Sequence, residues 1–75
     1  MNALRLDVRP YHERGEEPFS AIMGAVESLA PDQEFLLVNS FDPVPLYRVM
    51  EKRGYSHQTT EIAPEEWHIL FRRKE

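Results

Sequence analysis

One run of four apolar residues, Phe35-Leu36-Leu37-Val38, most limits what this chain can fold into. It does not alternate, and it is too short for a helix. A strand with both faces largely covered fits its length. The chain has 75 residues, which allows one small domain, residues 1–75, and no second one. A domain of this size buries only about 60% of its unfolded surface, so its stability margin is thin.

The other elements follow from periodicity. Leu4-Arg5-Leu6-Asp7-Val8-Arg9 alternates apolar and charged residues, the pattern of a half-buried strand that Pro10 closes. Tyr11 to Glu17 is polar, contains Gly15 and reads as a loop. Pro18 opens a helix in which Phe19, Ile22, Met23, Val26 and Leu29 recur at helical spacing. Asp42 reads as the N-cap of a second helix that Pro43 starts; it buries Leu46, Val49 and Met50 and stops at Gly54. Tyr55 to Ile62 and Trp67 to Arg72 are two further strands, joined by the turn Ala63-Pro64-Glu65-Glu66. The order is β-α-β-α-β-β. Right-handed crossovers stepping the same way put both helices on one sheet face, a two-layer α/β sandwich. The expected core is Phe19, Ile22, Val26, Leu36, Val38, Leu46, Met50 and Ile69, with Trp67 or Phe71.

Composition excludes several classes. Hydrophobic residues at 41% and charged residues at 29% argue against disorder, collagen and coiled coil. There are no cysteines, which removes disulfides, thiolate metal sites and thiol nucleophiles. No apolar run approaches the roughly 20 residues of a membrane span, and the start lacks a secretory signal, so the expectation is a cytoplasmic protein. A net charge of −4 opposes nucleic-acid binding by bulk electrostatics. The charge is uneven. Between Gly15 and Tyr47 there are six acidic residues and no Lys or Arg.

Leu6-Asp7-Val8-Arg9, Asp42-Pro43-Val44-Pro45-Leu46 and Trp67-His68-Ile69-Leu70-Phe71-Arg72-Arg73, in that order, resemble the TusA/SirA-like superfamily. More narrowly, they resemble a family of unknown function within it, sometimes fused to hemerythrin-type domains. The resemblance implies a mixed sheet of order 1-2-4-3 with both helices on one face. Sulfur carriers of that superfamily start the first helix with Cys-Pro; the equivalent pair here is Glu17-Pro18. A carboxylate cannot carry sulfane sulfur, so persulfide transfer is not implied for this chain. Phe41 replaces the histidine that commonly precedes Asp-Pro in the narrow family.

Few residues suggest chemistry. His12, His57 and His68 lack metal-ligand spacing, so no metal and no cofactor are expected, although His57 and His68 are expected to meet across the final hairpin. No serine has a nucleophile-elbow context, and the three glycines form no phosphate loop. The candidate binding residues are Asp7, Arg9, His12 and Glu17, at the corner between the first strand and the first helix, with Asp42 in reserve. A non-catalytic binding or adaptor module, with another protein as partner, is the leading reading. A small-ligand binder or enzyme using Asp7, Arg9, His12 and Glu17 is the alternative. Nucleic-acid binding through Arg72, Arg73 and Lys74 is a third.

Overall fold

The computed structural model describes residues 3–74. The opening alternation forms strand β1, Leu4–Asp7. It ends before Arg9 because Asp7 Oδ1 accepts the Arg9 N–H at 3.0 Å, the local bond by which an aspartate starts a turn. Pro10 therefore closes no strand. It sits in the first turn of a short helix, α1, Arg9–Glu13, where a fixed φ and a missing N–H are no loss. The segment expected as a loop, Tyr11 to Glu17, is thus helical in its first part. Gly15, at φ +73°, stops α1. Its N–H bonds the His12 carbonyl at 3.0 Å, and the Glu16 N–H bonds the Tyr11 carbonyl at 2.8 Å. This paired closure satisfies carbonyls that the helix end leaves free.

Helix α2 covers Phe19–Glu27, strand β2 Phe35–Asn39 and helix α3 Val44–Lys52. Strands β3, Tyr55–Ala63, and β4, Glu66–Arg73, form the final hairpin. The sheet order is β1-β2-β4-β3. β1 pairs parallel with β2, and β4 runs antiparallel to both of its neighbours. Ile22, Met23 and Val26 of α2 share one core with Leu46 and Met50 of α3 and with Phe35, Leu37, Ile69 and Phe71 of the sheet. Both of these helices therefore cover one sheet face, giving the expected two-layer sandwich with α1 added at the end of β1. Phe35 and Phe71 are register partners whose rings lie 5.8 Å apart. Both are fully buried, and each such side chain contributes about 1.5–3 kcal/mol.

The other sheet face corrects part of the expected core. Leu36 lies there, between Arg5 and Leu70 in the register, and is only partly buried. Val38 lies there too, yet is 0% exposed. Its register partners are Asp7 and His68. Arg9 pairs with Asp7 at 2.8 Å and approaches Glu66 at 3.7 Å, and Glu66 bonds His68 at 2.9 Å. This chain of charged groups closes over Val38, so the second cover of β2 is polar. Phe19 leaves the core as well: at the first turn of α2 it is 45% exposed. His57 and His68 do not meet. His57 pairs with Phe71 and His68 with Thr60, which puts the two imidazoles on opposite sheet faces. Among the described residues no helix is long and apolar enough to cross a membrane.

Candidate functional site

Asn39 ends the central strand β2 and is 3% exposed. A buried amide has to be hydrogen-bonded, and its partners fix its orientation. Its Nδ2 donates to the Phe41 carbonyl at 3.0 Å. Its Oδ1 consequently faces α1 and accepts from His12 Nε2 at 2.8 Å. A neutral His12 held this way carries its proton on Nε2 and leaves Nδ1 as an acceptor. The His12 ring also lies 4.9 Å from the Phe41 ring, tilted by 52°.

Beside this pair opens a cleft of about 430 Å³ at the C-terminal end of β2. Such ends are where open α/β sheets bind ligands. Phe19 and Ile22 of α2 form one wall, Pro43, Pro45 and Leu46 at the start of α3 the other, and Leu37 and Asn39 the floor. Phe19 and Phe41 stand on the rim, 45% and 49% exposed. Glu17 also lines the cleft. One of its oxygens accepts the Phe19 N–H at 3.1 Å, which satisfies a free donor at the start of α2. Among the described residues no cation pairs with it.

The structure divides the five candidate residues into three places. His12 and Glu17 share the cleft. Asp7 and Arg9 lie on its far side, where they line a second hollow with His12, Ser40 and Glu65. Arg9 Nε and Nη2 grip the Asp7 carboxylate at 3.0 and 2.8 Å. This hydrogen bonding, opposed by desolvation, holds the Asp7 carboxyl below its ordinary value, and it raises Arg9 in turn. Asp42 is not the side-chain cap expected of it. The cap residue of α3 is Pro43, and it is the Asp42 backbone carbonyl that takes the Val44 N–H, at 2.9 Å. The Asp42 carboxylate instead accepts the Tyr47 hydroxyl at 2.5 Å. Thr59 bonds the same phenol oxygen, and the Tyr47 ring stacks on His57 at 3.7 Å. Burial, and then the bond to Asp42, push the Tyr47 phenol up to about 12. Among the described residues no three His, Asp or Glu side chains gather as metal ligands.

The family described as "Uncharacterized conserved protein (DUF2249)" matches residues 5–73. The chain belongs to this family. The matched span of the DUF2249 domain takes in every residue of the cleft and all seven elements except Leu4, the first residue of β1. No curated protein and no solved structure matches the chain.

The sequence reading missed Asn39, Phe41 and Tyr47. A signal for Asn39 was present. It continues the inward parity of Phe35 and Leu37, so a polar side chain had to enter the buried face. Phe41 and Tyr47 act through neighbours distant in the chain and carry no local pattern.

Proposed function

We propose that this DUF2249 domain is a non-catalytic binding module that engages another protein through the cleft beside His12 and Asn39. The carrying observation is the pair Phe19 and Phe41. Two large apolar side chains, each about half exposed, line one mostly apolar cleft. Contiguous exposed apolar surface on a small domain marks an interaction site. The lining contains no Ser, Thr, Cys or Lys, and its two polar candidates are already engaged, His12 by Asn39 and Glu17 by the Phe19 N–H. The four residues of the alternative reading do not converge on one point, since Asp7 and Arg9 neutralise each other beyond the cleft wall.

The strand order β1-β2-β4-β3 supports kinship with the TusA/SirA-like superfamily. On that kinship the place of the superfamily's reactive cysteine is taken by Glu17, which lines the cleft. The reading that follows is a site kept in place while its sulfur chemistry was replaced by recognition. A partner in redox or sulfur metabolism is the context that this kinship favours.

The test is site-specific photocrosslinking in the native host, with a benzophenone analogue of phenylalanine at position 41 or, as control, at Gln58 on the other sheet face. A discrete adduct from position 41 and none from position 58 is the expected result. Equal labelling from both, or none from 41, would remove the cleft as the binding site.

A further inference from the structure

The lining of the cleft also says which chemistry its occupant carries. Apart from His12 and Val49, every lining residue falls between Gly15 and Tyr47, the stretch without Lys or Arg. Nearby charges are largely cancelled: Arg14 pairs with Glu16 at 2.9 Å and Arg9 with Asp7 at 2.8 Å. Glu17 pairs with no cation among the described residues. The polar atoms point the same way. The His12 Nε2–H is committed to Asn39, and one of the two Asn39 amide N–H groups to the Phe41 carbonyl, with Asn39 only 3% exposed. What a neutral His12 and Glu17 have left for a ligand is acceptors only. A carboxylate or phosphate would find the charge of Glu17 there, and as side-chain donor only the second N–H of the buried Asn39 amide. An N–H group or a cation would find both hydrogen bonds and charge complementarity.

We infer that the occupant is an extended segment of a partner protein in which an apolar side chain is flanked by Lys or Arg. The apolar side chain fills the cleft between Phe19 and Pro43, a backbone N–H meets the His12 acceptor, and a flanking cation meets Glu17. A chain segment fits better than a free amine because an exposed apolar side chain also stands outside the cleft lining. Val44, next to Pro43 at the start of α3, is 59% exposed. A small amine would leave that surface and much of both rim phenylalanines in water. This inference rests on the binding-module reading and adds the partner's chemistry to it.

The experiment titrates the whole ¹⁵N-labelled chain with three blocked pentapeptides: acetyl-Ala-Lys-Phe-Lys-Ala-amide and its counterparts with Glu or Gln at both Lys positions. Phenethylamine is the fourth probe. The amide signals of Phe19, Asn39 and Phe41 report on the cleft. The Lys peptide is expected to move them and to bind about tenfold more tightly than the Glu peptide, with Gln between and with a preference that salt weakens. Glu17→Gln keeps an acceptor for the Phe19 N–H and should reduce that preference to about threefold or less. Equal binding of the peptides, or Glu first, overturns the inference while leaving the cleft as a binding site. Phenethylamine binding as tightly as the Lys peptide overturns the choice of a protein segment. Failure of all four probes to move the cleft signals overturns the inference and the binding-module reading together.

Discussion

His12 Nε2 donates to Asn39 Oδ1 across 2.8 Å and ties α1 to the end of the central strand. The bond spans 27 positions of sequence, so it is a tertiary contact that decides how the imidazole presents itself to the cleft. Two outcomes follow. At alkaline pH, long-range ¹⁵N correlation spectra should show His12 as the Nε2–H tautomer; an Nδ1–H tautomer would contradict the geometry. Asn39→Ala should cost about 1–3 kcal/mol, because it strips a partner from both the His12 N–H and the Phe41 carbonyl. Denaturant unfolding measures that loss, and the same variant should release the His12 ring into mixed tautomers.

The group of Asp7, Arg9, Glu66 and His68 should give the domain an acid limit. Arg9 holds the Asp7 carboxyl below its ordinary value of 3.8. A carboxyl depressed in the folded state stabilises fully above its unfolded value and loses that contribution as pH falls through the folded one. Stability should therefore decline below about pH 3.8 in part through Asp7. Asp7→Asn should flatten that part of the profile and lower stability near neutrality, where the native ion pair is intact. Urea unfolding across the acid range is the measurement. An unchanged slope in the variant would mean that Asp7 titrates alike in both states.

The sheet was legible because its signals are local. Alternation in Leu4–Asp7, the unbroken run from Phe35 and the two β-rich segments after Gly54 each mark a strand without reference to the others. Helix α1 was hidden because Pro10 serves equally as a strand stop and as a first-turn helical residue. The Asp7 side-chain bond to Arg9 decides between them, and that bond is a feature of conformation. Leu36 and Phe19 were misread for one shared reason. Apolar character says that a side chain prefers cover, and only the topology says whether cover exists at that place. At the site, the sequence led to the correct corner through His12 and Glu17. It joined Asp7 and Arg9 to them only because a strand continued through residue 9 would have turned those two side chains the same way.

Tyr47 links α3 to β3 through Thr59 and accounts for the true role of Asp42. Its phenol, pushed up to about 12 by burial and by Asp42, favours the neutral form in the folded state. Its contribution is complete below the ordinary tyrosine value of 10.0 and is lost as pH rises through the folded one. Tyr47→Phe should cost about 0.5–1.5 kcal/mol near neutrality, and Asp42→Ala should lower the titration of Tyr47 toward its ordinary value. Following the Tyr47 ring signal through an alkaline titration checks both. A Tyr47 that ionises with an ordinary midpoint would show that neither its burial nor its bond to Asp42 persists in solution.

Two turns offer opposite substitutions with opposite signs. Gly15 sits at φ +73° after α1, and Glu65 sits at φ +63° in the turn between β3 and β4. A side chain at positive φ crowds its own backbone, at a cost of about 1–2 kcal/mol. Nothing lies within 4 Å of a Cβ built on Gly15, so Gly15→Ala tests the backbone alone and should destabilise by about 1 kcal/mol. Pro64 before Glu65 suits a turn whose third position requires positive φ, the place where glycine is preferred. Glu65→Gly should therefore stabilise. The gain should be smaller, about 0.5–1 kcal/mol, because glycine also loosens the unfolded chain. Paired thermal melts of the two variants would measure both shifts against the same wild type. Loss of stability in both would mean that the Glu65 side chain makes a contribution larger than its backbone strain.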